Sequence, residues 1–212
     1  MTEKYAVATD TITLPERDMA VWKWLVSRGI ANSIAGLSRM IDQELNLNEL
    51  DVNHVIDSDT VGLLGGNHNV VVSIFLTIKG DATGHLLLAQ DSKVALRFID
   101  HQMQLSPGST NELGELELSF LGEMGNIAGA FFLNVLSDVT NLHLSPSPPS
   151  VMINTAGVVM NTVFTHILNK EETVFTVKVK FGANGQQTEG MFLVIPTLEF
   201  MQTVLEHARI IR

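Results

Sequence analysis

Ser119, Glu123 and Asn126 stand four and three residues apart in the run ELELSFLGEMGNIAGAFFLNVLSDVT. On an α-helix this spacing gathers their side chains into an arc of roughly 60°, a polar stripe that Glu115 and Asn134 extend. A carboxylate beside a carboxamide can position a water molecule or bind a cation. Neither group is a nucleophile, and no histidine stands nearby in sequence to serve as a base. Taken alone, the stripe is also the ordinary solvated edge of an amphipathic helix, and geometry does not choose between the two readings. Phe120, Leu121, Met124, Ile127, Phe131, Phe132 and Val135 fill much of the remaining circumference, so the helix is expected to be buried except along this edge. Gly122, Gly125 and Gly129 each cost about 1 kcal/mol of helix propensity relative to alanine. The compensation expected is close packing against another helix. A similar run, Gly29 to Gly36, lies in the first long helix, so the two helices are expected to pack side by side across a pseudo-twofold axis.

Other residues with chemical potential are arranged less suggestively. His54, His68, His85, His101, His143, His166 and His207 show no His-x-x-x-His or His-Glu pairing, so no metal site is expected. Gly62-Leu63-Leu64-Gly65-Gly66-Asn67 lacks a following Lys-Ser/Thr and reads as a loop, not a phosphate cradle. The nine methionines read as core fillers, and Lys178 and Lys180 alternate with apolar residues as a half-exposed strand requires. The absence of cysteine removes disulfide frameworks and thiolate metal sites and fits a reducing compartment.

The elements that must position the stripe repeat along the chain. After an arm over 1–14, Pro15-Glu16-Arg17-Asp18 starts a helix expected to run to about Leu45. Val70 to Ile78 is rich in β-branched residues, and the turn Lys79-Gly80-Asp81 leads into Gly84 to Ala89, a hairpin. Asp91 caps a short helix to about Gln104, and Ser106-Pro107-Gly108-Ser109 breaks the chain. The order then returns: a helix from about Asn111 to Val139, a hairpin of Thr173 to Phe181 and Gly190 to Ile195 around Gly182-Ala183-Asn184-Gly185, and a final helix from about Thr197. Val158 to Phe164 fits a strand or a short helix equally. Two copies, about 15–105 and 110–212, suggest one sheet covered by helices. With 212 residues, 45% of them hydrophobic, the chain can bury a substantial core, while its formal net charge of −10 sets nucleic acid aside as a partner. The start lacks a charged leader followed by an apolar run, and the apolar segments are too broken to span a bilayer. A cytoplasmic protein without membrane insertion is expected.

The stripe and its surroundings resemble the signature of the CheC/CheX/FliY family of chemotaxis response-regulator phosphatases, closest to CheC. That signature is Asp or Ser, three residues, Glu, two residues, Asn, twenty-two residues, Pro, and Ser119, Glu123, Asn126 and Pro149 satisfy every spacing. Glu-Met-Gly-Asn-Ile, Phe-Leu-Asn-Val-Leu-Ser-Asp-Val-Thr and Pro-Ser-Pro-Pro also look like the family's second copy. The first copy departs from it. Asn32 matches the asparagine, but Leu25, Gly29 and Val55 replace the Asp or Ser, the Glu and the Pro, which implies one working site.

The resemblance implies a single α/β (α+β) domain, internally duplicated, with long helices on a shared, mainly antiparallel sheet. It implies a hydrolase that removes the phosphoryl group from the aspartyl phosphate of a CheY-type response regulator. Asn126 would hold the attacking water, Glu123 would pair with a lysine of the regulator, and Ser119 and Pro149 would support the edge. No cofactor is expected on this chain, and Mg²⁺ would belong to the regulator. The alternative is a non-catalytic binding or scaffolding module for a phosphorylated regulator or for CheD, with the helices at Asp91 to Gln104 and Thr197 to Arg212 as the candidate faces. A flagellar switch role, as in FliY, is weakened by the lack of a recognisable additional switch domain. The two internal copies favour a monomer.

Overall fold

The computed structural model describes residues 15–55, 60–163, 165, 174–183, 186–196 and 198–210, so the expectations for the arm and for His166 lie outside the described residues. The chain forms α1 (Glu16–Met40), β1 (Asn46–Val55), α2 (Thr60–Leu63), β2 (Val70–Gly80), β3 (Gly84–Asp91) and α3 (Ser92–Gln102). There follow α4 (Glu115–Thr140), β4 (Leu144–Pro146), β5 (Ser150–Thr155), α5 (Ala156–Thr162), β6 (Val174–Ala183), β7 (Gln186–Pro196) and α6 (Leu198–Ile210). One antiparallel sheet has the order β1-β6-β7-β3-β2-β4, with β5 also paired to β2.

The apolar run of β2 explains how the sheet is covered. Side chains alternate across a strand, and a strand apolar at consecutive positions needs cover on both faces. Val72, Ile74, Leu76 and Ile78 enter the main core with Trp22, Leu25 and Ile30 of α1, Ile99 of α3, Leu121 and Phe132 of α4 and Phe200 of α6. Trp22 and Phe200 meet edge to face, ring centroids 6.2 Å apart. On the opposite face Val71, Leu87 and Ala89 pack with Leu64 and with Ala156, Val159 and Met160 of α5. The segment that fits strand or helix equally is therefore the short helix α5, whose start is capped by the Thr155 hydroxyl accepting from Val158 N–H.

Several boundaries differ from expectation. The first helix stops at Met40, because Asp42 takes a left-handed conformation (φ 52°) and the Ser38 hydroxyl turns to Gln43 O while accepting from Leu45 N–H at 3.0 Å. The residues beyond it form β1, an edge strand paired with β6. The third helix ends at Gln102, and Gln104 is left-handed (φ 54°). The fourth begins at Glu115 because the buried Asp100 holds the backbone upstream, accepting from Gly108 N–H at 2.6 Å and Thr110 N–H at 2.7 Å. β6 extends through Gly182 and Ala183, the expected start of the second hairpin's turn, and Asn184-Gly185 lie outside the described residues.

Candidate active site

α4 is the element that carries the stripe, and the sequence gives it three packed sides. Gly125 and Gly129 face the sheet: a Cβ at Gly125 would stand 2.3 Å from Ile74 Cγ2, and one at Gly129 2.7 Å from Leu76 Cδ1. This corrects the expectation that the α4 glycines compensate by packing on a helix; they let the helix settle onto β2. The α1 glycines do meet a helix. A Cβ at Gly29 would stand 2.5 Å from Phe132 Cδ2, and one at Gly36 2.6 Å from Phe131 Cγ. On the third side Gly122 lies against the end of the connection between β4 and β5 and the start of β5, where a Cβ would contact Pro149 Cγ at 3.5 Å and Val151 Cγ2 at 3.6 Å.

What remains is an outward face. Glu115, Leu116, Ser119, Glu123 and Asn134 are exposed on it and Asn126 is half-buried. Among the described residues, none supplies a hydrogen-bond partner to the side chains of Ser119, Glu123 or Asn126. Pro149 is brought to the flank of this face because its segment is tied to the sheet: Ser147 N–H donates to Thr77 O at 2.8 Å, and the Ser147 hydroxyl accepts from Thr77 N–H at 2.9 Å. The four signature residues therefore lie together, three on α4 and Pro149 one helix position from Glu123, against Gly122. At α4's start, the Glu117 carboxylate accepts from Gly114 N–H at 2.9 Å, the half of a capping box that needs no side chain at the cap.

The matching residues of α1 are placed differently. Leu25 is fully buried, Gly29 is closed off by Phe132, and Asn32 donates its carboxamide N–H to Phe131 O at 2.7 Å. The Ser33 hydroxyl reaches Ala128 O at 2.7 Å. Asn32 thus binds the backbone of α4, within the helix pair. Sequence reasoning missed Leu116, 67% exposed and one turn before Ser119 and Phe120; its hydrophobic character pointed to burial. It also missed Arg39 of α1, which reaches α4 at the Phe131 ring, a contact that required knowing which side of α1 is covered.

In chemical terms the face offers one acceptor-only carboxylate and one donor–acceptor carboxamide a helical turn apart, on a rigid support. It can hold a water and a cationic group simultaneously. A CheC-like family model matches residues 116–153, the segment that includes Ser119, Glu123, Asn126 and Pro149. The CheY-P phosphatase CheC of Bacillus subtilis (strain 168) is 25% identical over 178 residues, which cover 83% of this chain and 85% of the relative. FliY of Thermotoga maritima shares the fold with a TM-score of 0.72 at 17% identity, covering 95% of this chain and all of that one. A chain of the CheX-CheY-BeF3-Mg2+ complex from Borrelia burgdorferi matches with a TM-score of 0.52 at 17% identity, covering 81% of this chain and 97% of that one. The segment that bears the polar stripe is CheC-like, most of the chain is similar to CheC in sequence, and the fold is shared with FliY, as the resemblance to the CheC/CheX/FliY family implies.

Proposed function

We propose that this chain hydrolyses the aspartyl phosphate of a CheY-type response regulator through one site, formed by Glu123 and Asn126 on α4. The observation that carries the reading is the outward presentation of both side chains beside Pro149, within the segment matched by the CheC-like model. The relative in Bacillus subtilis is a CheY-P phosphatase, and a structural neighbour is a complex of CheX with CheY, BeF3 and Mg2+. In this mechanism Asn126 holds a water in line with the phosphorus, and Glu123 pairs with a lysine of the regulator. Phosphoryl transfer depends chiefly on positioning and on stabilising charge, so no covalent intermediate on this chain is needed. Mg²⁺ belongs to the regulator. Ser119 and Pro149 shape the edge and do not touch the reacting atoms.

The order of elements supports two pseudo-repeats over 15–105 and 110–212: helix, strand, short helix, hairpin and helix recur, apart from the short extra strand β4. Among the described residues no helix is long and apolar enough to cross a membrane. We place the protein in the cytoplasm with its regulator. The test is phosphate release from the phosphorylated regulator with Mg²⁺. Wild type should accelerate it, and Asn126→Ala should remove at least about 100-fold of that acceleration, the loss of a positioned water. Binding of the regulator with no acceleration by wild type would instead make the chain a non-catalytic module.

A further inference from the structure

The outward face of α4 poses an electrostatic problem for the substrate assigned to it. α4 contains Glu115, Glu117, Glu123 and Asp138 and neither lysine nor arginine, and the chain as a whole carries a formal net charge of −10. A phosphorylated partner brings further negative charge to this edge, and like charges opposed across an interface slow encounter and weaken docking.

The positive charge that offsets this lies on the neighbouring helix. Arg17, Ala20, Trp24, Arg28, Ala31 and Arg39 are all exposed on α1. At 100° per residue they share an arc of roughly 100° that contains no carboxylate. Arg39 holds its guanidinium 5.4 Å from the centroid of the Phe131 ring, so the stripe touches α4 at Phe131, five residues after Asn126. Arg28 lies 5.2 Å from the ring centroid of Trp24, an indole 43% exposed, whereas the neighbouring Trp22 is fully buried. Both arginines are thus held over aromatic faces with their charge outward. Arginine and tryptophan are also the side chains that most often anchor interfaces. An anionic bilayer or nucleic acid would have to approach the acidic edge of α4 on the same side, which disfavours both as occupants.

We propose that the Arg28, Trp24 and Arg39 stripe of α1 is the docking surface for the phosphorylated regulator, lying alongside the α4 edge that does the chemistry. This inference rests on the phosphatase reading and adds to it the surface that sets affinity. A cation at the rim of an interface acts mainly on encounter rate and salt dependence, so the signature is kinetic. Phosphate release from the phosphorylated regulator is followed at low and high ionic strength for wild type, Arg28→Glu/Arg39→Glu, Arg28→Lys/Arg39→Lys and Lys79→Glu/Lys93→Glu. The last makes the same change in net charge at exposed sites off α1 and α4. The α1 reversal should lower kcat/KM at low salt at least about tenfold with kcat kept, and the deficit should shrink as screening rises. The lysine variant should retain most of the wild-type value, and Trp24→Ala should raise KM on its own. A kcat/KM unchanged by the α1 reversal, or lowered equally by the Lys79/Lys93 reversal, would overturn the docking surface and leave the phosphatase standing. No acceleration by wild type would remove both.

Discussion

Gly125 shows how much of the site depends on an atom that is missing. The methyl of an alanine there would fall 2.3 Å from Ile74 Cγ2, on a buried β-branched side chain with little freedom to turn aside. Overpacking of this kind costs about 1–3 kcal/mol, against about 1 kcal/mol gained in helix propensity. Gly125→Ala should therefore destabilise the fold by about 1 kcal/mol, measured by urea denaturation. It should also lower the proposed phosphatase activity in the folded protein, because α4 must lift from β2 and carry Glu123 and Asn126 with it. The polar stripe and its spacing were legible in the sequence, since a helix fixes the relative azimuth of residues three and four apart. What each glycine touches was not. A glycine signals close approach without saying to what, so Gly125 and Gly129 meet the sheet while Gly29 and Gly36 meet α4.

The loop before α4 is an element held by one side chain. Asp100, at 2% exposure, accepts from the backbone of Gly108 and Thr110. Its pKa is held below the ordinary carboxylate value chiefly by the Thr110 hydroxyl, with the backbone donors adding to this and burial opposing it. The folded carboxyl therefore binds its proton more weakly than the unfolded one. The stabilisation is complete above the unfolded pKa of about 3.9 and is lost as pH falls through the lower folded value. Asp100→Asn should lower Tm at pH 7 and flatten the loss of Tm below about pH 4, as followed by circular dichroism. Elements with a strong period were the legible ones: β2, β3 and α4 announce themselves through apolar runs and helical spacing. β1 did not, because Asn46-Leu47-Asn48-Glu49-Leu50 is polar and carries no glycine or proline to mark where α1 ends. That boundary comes from the left-handed Asp42 and the Ser38 hydroxyl, features settled by the folded backbone.

At the scale of the molecule, α1 and α4 pack against each other but present their corresponding positions differently. Of the α1 positions that correspond to Ser119, Glu123 and Asn126, Leu25 is buried in the core, Asn32 donates to the α4 backbone, and Phe132 fills the space a side chain at residue 29 would need. Writing the signature into α1 as Leu25→Ser/Gly29→Glu should therefore create no second site. In a Glu123→Ala/Asn126→Ala background it should leave phosphate release at the regulator's own rate and lower Tm, because it places a carboxylate against a buried ring. The strand order has a further consequence for how the chain comes together. β1 finds its partner in β6 and β3 finds β7, so strands encoded early are closed by strands encoded late. During synthesis the first half emerges with open sheet edges and with the apolar side of α1 uncovered, and it must wait for α4, β6 and β7. Folding is then limited by contacts distant in sequence, and the nascent first half is the stage most in need of a chaperone.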